Sequence, residues 1–220
     1  MTLRTCVLLP FLACLAFGNS DPPLDILFML DVSQNMADPA AFVTAGARLA
    51  TFELSPNDRV AVMSFSSGAK LQAGFTSDAG EIGKALTRST RTIVRRSGKR
   101  CLYDALTLAL EQFPAKLDPS RRRVVAVITN DVDQGSTRAP ADIIRDAGAK
   151  GVAVWGFLMA SPYPDRFQQK NGYPGTRYPD VQFAAKQLQP LAKETGGKVV
   201  IRDTNGYVLR YAIAACKGEE

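Results

Sequence analysis

LDILFMLDVSQNM, residues 24–36, decides the fold. The run from Leu24 to Leu30 is almost unbroken in its apolar character, the composition of a strand buried on both faces. It ends on Asp31, and Ser33 and Asn35 follow at alternate positions. A strand of this kind delivers its last residue to the carboxyl edge of an open α/β sheet, where ligands bind. Oxygen-bearing side chains converging there suit a hard divalent cation such as Mg²⁺.

Outward from this segment, strand and helix alternate. The apolar spacing predicts a helix over 39–52, a strand over 60–65, a hairpin edge strand over 69–75 and a helix over 79–86, then a polar loop over 87–100. A helix over 102–113 leads to VVAVIT within 121–129, another strand buried on both faces. The remainder reads as helix 140–149, strand 151–159, helix 181–195, strand 198–201 and helix 207–216. Helices of this length between strands imply parallel, right-handed crossovers. The expected class is therefore α/β: a doubly wound, mostly parallel central sheet in a Rossmann-like three-layer sandwich, helices on both faces, one antiparallel edge strand. Residues 161–180, SPYPDRFQQKNGYPGTRYPD, show no periodicity, and long loops of this texture are usually functional or mobile.

A length of 220 residues fits one such domain behind a leader. The first residues, MTLRTCVLLPFLACLAFG, combine an arginine, an apolar stretch and a small-x-small end, which predicts a signal peptide over 1–18 and a single domain over 19–220 with its core at about 24–216. A membrane span needs about 20 apolar residues, and this run is shorter and broken by Pro10. Phe11-Leu12-Ala13-Cys14 loosely resembles a lipoprotein cleavage box, so a lipid tether at Cys14 stays open. Either route places the domain outside the cytoplasm, secreted or in the periplasm or cell envelope. Cys101 and Cys216 then remain; the fold would set them at opposite edges, beyond disulfide reach, which favours mostly buried free thiols over a bridge between them.

The net charge of +6 is modest, with basic residues grouped at Arg88, Arg91, Arg95, Arg96, Lys99 and Arg100 and at Arg121–Arg123. These groups could attract a polyanion or an acidic protein surface, but no nucleic-acid motif accompanies them, so they read first as solvated turn and helix ends, and no nucleic-acid partner is expected. The chain has no histidine, which removes the usual general base, Ser-His-Asp arrangements and His-containing zinc sites. No nucleophile elbow, phosphate-cradling loop or Cys-x-x-Cys is present, and Asp131 and Asp133 lie where turns are rich in Asp for conformational reasons. Catalysis is not expected.

Three ordered segments carry a resemblance: Asp31-Val32-Ser33, GKRCLYDALTLAL at 98–110 and VVAVITNDVDQGS at 124–136. Together they resemble the von Willebrand factor type A domain, whose metal-ion-dependent adhesion site opens Asp-x-Ser-x-Ser, continues with a Thr ahead of a Leu-Tyr-Asp-Ala helix and ends with an Asp after a buried strand. The resemblance spans about Leu24 to Cys216 and points to bacterial exported proteins of this kind. It implies metal candidates Asp31, Ser33, Asn35, Asn130 and Asp133, Asn35 replacing a Ser and Asn130 an Asp, with Asp131 or Asp133 able to take over if the loop shifts.

Arg100 stands where the resemblance supplies the Thr. Two unit charges about 4 Å apart interact by roughly 4 kcal/mol at an effective dielectric near 20, so a guanidinium turned inward opposes a dication. Two placements stay open: Arg100 pairs with Asp31 in the cation's place, or it points to solvent while Asp31 caps backbone amides. Both imply a degenerate site with no cofactor beyond weak Mg²⁺ or Mn²⁺. The expected function is an exported protein-binding, adhesion-type module. Its partner would be met at the carboxyl edge by Arg100 and Asp131, with an acidic partner side chain on Arg100, and by Tyr163, Tyr173 and Tyr178 of the long loop, aided by Phe167. An intact Mg²⁺-dependent adhesion domain and a passive envelope scaffold are the alternatives.

Overall fold

The computed structural model describes residues 21–33, 36, 43, 46, 49–91, 99–160, 181–203 and 207–218. The expected leader, Asn35 and the 161–180 loop with its tyrosines lie outside the described residues. Six strands form one sheet: β1 (Leu24–Asp31), β2 (Arg59–Phe65), β3 (Ala69–Thr76), β4 (Arg122–Thr129), β5 (Val152–Ala160) and β6 (Val199–Asp203), in the order β3-β2-β1-β4-β5-β6. Every pairing is parallel except β2 with β3, the hairpin edge. Among the described residues it is accompanied by the helices α1 (Ala79–Arg91), α2 (Leu102–Glu111), α3 (Pro140–Lys150), α4 (Val181–Glu194) and α5 (Val208–Lys217). Residues 43, 46, 49 and 50 are also helical and run into a 3₁₀ turn at Thr51–Glu53.

The continuous apolar strands are explained by two cores, one on each face. Ile26, Phe28 and Leu30 of β1 join Val124, Ala126 and Ile128 of β4 against Ile82 and Leu86 of α1 and Leu209 and Ile213 of α5. Leu27 and Met29, with Val125 and Val127, meet Leu106 and Leu110 of α2, Ile143 of α3 and Leu188 of α4. Alternate residues of each strand thus serve opposite layers, which is why no polar alternation marks them.

Two expectations need correction. Residues 87–91 are helix, not loop. The run Thr87-Arg88-Ser89-Thr90 reads as polar coil, yet the hydroxyls of Thr87 and Ser89 donate back to the carbonyls of Gly83 and Ala85, and Arg88 donates to the Gln72 carbonyl, so α1 continues along the edge strand.

Nor are Arg121–Arg123 solvated. Arg121 pairs with buried Asp25 at 2.5 Å, Arg122 donates to the Cys216 carbonyl, and buried Arg123 donates to the carbonyls of Pro114, Lys116 and Lys150. Asp25 also receives Arg59 at 2.6 Å. Burial alone would raise the Asp25 carboxyl; the guanidinium groups of Arg59 and Arg121 overcome it and hold the group below its ordinary value. Asp58 next to it behaves alike, burial being outweighed by the Leu24 amide, Lys217 and the Ser55 amide. The amino edge of the sheet is thus a stitched seam of buried ions. Cys101, half-buried, and Cys216, buried, are unbridged.

Candidate functional site at the carboxyl edge

The chain leaves β1 toward β2 on one side and takes up β4 on the other, so the sheet changes winding direction between β1 and β4. That switch point is where open α/β sheets hold ligands. The register pairs Leu30 with Ile128, which places the last residues of the two strands, Asp31 and Thr129, side by side. Thr129 Oγ1 donates to Asp31 Oδ2 at 2.6 Å, and the Ser33 amide donates to Asp31 Oδ1 at 2.8 Å. Asp31 is only 2% exposed, and burial pushes its carboxyl above the ordinary value against those two hydrogen bonds and the positive charge of Arg100.

Arg100 lies inside this edge at 6% exposure. Its Nη1 donates to Ser33 Oγ at 3.2 Å and its Nη2 meets Asp131 Oδ2 at 2.5 Å. The guanidinium therefore pairs with Asp131 and not with Asp31, nor does it point to solvent. Both open placements are corrected for one geometric reason: the backbone at 100 and 101 is pinned between two loops. The Cys101 amide donates to the Ser66 carbonyl after β2, and the Arg100 carbonyl accepts from the Gln134 amide after β4, each at 2.8 Å. From that position the side chain crosses the Ser33 turn and reaches the β4 loop.

The same geometry limits Arg100 and Asp131 as exposed contacts for a partner. Arg100 is enclosed, and both Asp131 oxygens are occupied, Oδ2 by the guanidinium and Oδ1 by the Val132 amide at 2.7 Å.

Asp133, expected as a stand-in metal ligand, is committed elsewhere. Its Oδ1 accepts from the Leu102 amide at 2.7 Å and from the Ser136 hydroxyl, and its Oδ2 accepts from the amides of Gly135 and Ser136. Ser136 Oγ in turn accepts from the Tyr103 and Asp104 amides, and Asp104 accepts from the amides of Thr137 and Arg138. The first turn of α2 has no side-chain cap of its own at Cys101, so the β4 loop caps it, a carboxylate facing the positive end of the helix.

Sequence reasoning missed Thr129, Ser136 and Asp104. Thr129 was legible, being the residue that parallel pairing sets beside Asp31. Asp133-x-Gly-Ser has the form of a side-chain-capped turn, but its target helix is long-range and left no local sign. Asn130, the other expected ligand, is buried at the strand end beside this cluster.

These residues do not fit a tightly held Mg²⁺, which requires near-octahedral oxygens at about 2.1 Å. The Ser33 hydroxyl carries a guanidinium donor, and each oxygen of Asp31 and Asp131 already accepts a protein donor. The amide of Asn130 brings no charge. Among the described residues no cluster of three or more His, Cys, Asp or Glu could hold a metal ion.

Residues 26–133 match the von Willebrand factor type A domain family. No curated protein matches the chain in sequence. Solved structures similar to it include the conserved hypothetical protein BatB from Bacteroides thetaiotaomicron, at a TM-score of 0.66 and 20% identity, covering 89% of this chain and 98% of that one. Another is an aerotolerance-related membrane protein from Bacteroides fragilis, at 0.65 and 19%, covering 90% of this chain and 100% of that one. Proximal thread matrix protein 1 from the mussel byssus, in a form whose metal-ion-dependent adhesion motif is occupied by zinc, scores 0.62 at 15% identity over 90% of this chain and 48% of that one. At such identities the likeness is one of fold, and it agrees with the strand order and with the match of residues 26–133 to the von Willebrand factor type A domain family.

Proposed function

We propose that the chain is an exported, non-catalytic protein-binding module that works at the carboxyl edge of its sheet without a tightly held metal. The observation that carries this reading is the guanidinium of Arg100 docked on Ser33 and Asp131 at the switch point. The match of residues 26–133 to the von Willebrand factor type A domain family supports a protein partner, since domains of this type usually mediate protein–protein interaction. The apolar leader sequence supports export, and no helix among the described residues is long and apolar enough to cross a membrane. An acidic partner side chain reaches Arg100 in this reading by exchanging with Asp131, because the guanidinium has its strongest contact there already.

The test uses exposed positions on the same edge, so that folding is left alone. Lys99 and Gln134 are exposed on either side of the cluster. Partner capture from envelope extract is expected to be equal in Mg²⁺ and in EDTA, and to be lost on Lys99→Glu or Gln134→Arg with the circular dichroism spectrum unchanged. Capture that requires Mg²⁺, or that ignores both substitutions, removes the reading.

A further inference from the structure

We infer that the outer face of α5 and the turn at Thr51–Glu53 form a self-complementary surface on which a second copy of this chain docks about a two-fold axis. The surface lies on a helical layer and not at the carboxyl edge, so the inference goes beyond the binding site proposed above and stands or falls apart from it.

The spacing along α5 yields two faces. Val208, Leu209, Ala212, Ile213 and Cys216 are buried against the sheet. Tyr207 at the N-cap, Arg210, Tyr211 and Ala214 follow a second stripe at i, i+3, i+4 and i+7 that the core does not use. The side of a surface helix turned away from the core is ordinarily polar, yet this one carries two tyrosines, 46% and 43% exposed. On the neighbouring segment Leu49 and Phe52, three residues apart, are 38% and 81% exposed. Four of the eight exposed large apolar or aromatic side chains among the described residues thus belong to this one surface. Clustered exposure of that kind marks an interaction site.

Glu53, Tyr207, Arg210, Tyr211 and Ala214 line a groove of about 570 Å³. A cavity of about 150 Å³ already accepts a benzene ring. Phe52 adjoins the groove, because the next residue, Glu53, is part of its wall. That wall is held in place twice: Arg210 Nε meets the Glu53 carboxylate at 2.5 Å, and Lys217 Nζ donates to the Glu53 carbonyl at 2.6 Å. A protruding ring beside a groove that accommodates it is a knob and a hole on the same patch. Two copies related by a two-fold axis satisfy both together, each Phe52 entering the other's groove, which is the self-complementarity an isologous contact requires. The ring meets tyrosines and a guanidinium there, both favourable neighbours for its edge and face. Charge selects the same occupant. Glu53 is paired with Arg210 and Asp58 with Lys217, so the patch neither calls for an acidic or basic partner nor repels a second copy.

The experiment follows the purified chain by sedimentation velocity and native mass spectrometry over a micromolar concentration series. The wild type is expected to pass from monomer to dimer. A hot-spot side chain is worth about 30-fold in Kd, and each dimer contains two, so Phe52→Ala should weaken association by about 1,000-fold. Phe52→Glu removes the knob and Ala214→Arg fills the hole; each alone should stay monomeric with a native circular dichroism spectrum. Their equimolar mixture should regain a heterodimer. The intact Phe52 of one chain enters the intact groove of the other, and at the second contact the introduced carboxylate faces the introduced guanidinium.

A wild type that is monomeric throughout, a dimer indifferent to both substitutions, or a mixture that fails to associate overturns the inference. If Ala214→Arg loses its native spectrum, Tyr211→Arg, at an exposed position on the same groove, takes its place with the same outcomes. None of these results bears on the metal-free reading, whose own test reads partner capture through Lys99 and Gln134.

Discussion

Breaking the Arg100–Asp131 pair from either side should cost more than a surface ion pair does, and the two losses should be coupled. The side chains are 7% and 14% exposed, so neither charge regains full hydration when its partner is removed. Removing one member of a buried pair costs about 3–5 kcal/mol. Arg100→Met falls at the lower end, about 3 kcal/mol, because the carboxylate left behind is the more exposed of the two and keeps its bond to the Val132 amide. Asp131→Asn retains an oxygen for the guanidinium and loses a charge-assisted hydrogen bond, about 2 kcal/mol. The double variant should fall short of their sum by about 2 kcal/mol, within the range for residues in one network. For a domain of this size 1 kcal/mol moves Tm by about 2–4 °C, so Arg100→Met should melt about 6–12 °C lower. Urea unfolding followed by circular dichroism, at one pH and with m unchanged, supplies the four free energies. Losses below about 1 kcal/mol that simply add would be those of a solvated surface pair, and the enclosed cluster described here would be wrong.

Two more outcomes follow from the geometry. Asp133→Ala removes the acceptor for the Leu102 amide and for the loop at 135–136, so it should destabilise the domain by about 1–2 kcal/mol, the cost of losing a helix cap; a urea midpoint equal to wild type would show that α2 does not depend on it. Asp25 and Asp58 have folded-state pKa values below the unfolded carboxyl value of about 3.9. The stability they contribute is present above that unfolded value and is lost as pH falls through the lower folded values. Urea-derived stability should therefore drop below about pH 4, and Asp25→Asn should lower stability near neutrality while flattening that acid fall; an acid limb parallel to wild type would contradict the assignment.

The architecture was legible because its signals are local and repeated. Leu24–Leu30 and VVAVIT could be buried on both faces only in a sheet covered by helices on each side, and the helices between them fix parallel crossovers. The end of α1 was not legible, since Thr87, Ser89 and Thr90 favour coil unless their hydroxyls turn back on the helix, a choice made by packing against β3. At the site, sequence identified Asp31, Ser33, Arg100 and Asp131 as residues of one edge but paired them wrongly. Pairing depends on where residue 100 enters the edge, and that is set by hydrogen bonds to Ser66 and Gln134, which are far from it in sequence. Asp133 shows the same limit: a carboxylate in a loop after a strand reads equally as a ligand and as a cap, and only the position of α2 separates the two.

Asp25 and Asp31 open and close the same strand, and the contrast between their surroundings bears on which end of the sheet works. At the amino edge one carboxylate, Asp25, faces two guanidinium groups, Arg59 and Arg121, and Asp58 beside it is matched by Lys217. Both of these buried anions have a direct cation, and the Asp25 and Asp58 carboxyls are held below their ordinary values. At the carboxyl edge the guanidinium of Arg100 contacts Asp131, while Asp31 has hydrogen bonds from Thr129 and the Ser33 amide and a carboxyl raised by burial. A buried anion without a direct counter-ion is costly, and the amino edge demonstrates that this sequence can supply arginines where structure alone is the need. The imbalance falls instead at the switch point between β1 and β4, the place where this class of sheet meets its ligands. An acidic group arriving from a partner would deepen that imbalance unless it took Asp131's place on Arg100, so exchange, and not addition, is the form of capture the charges permit.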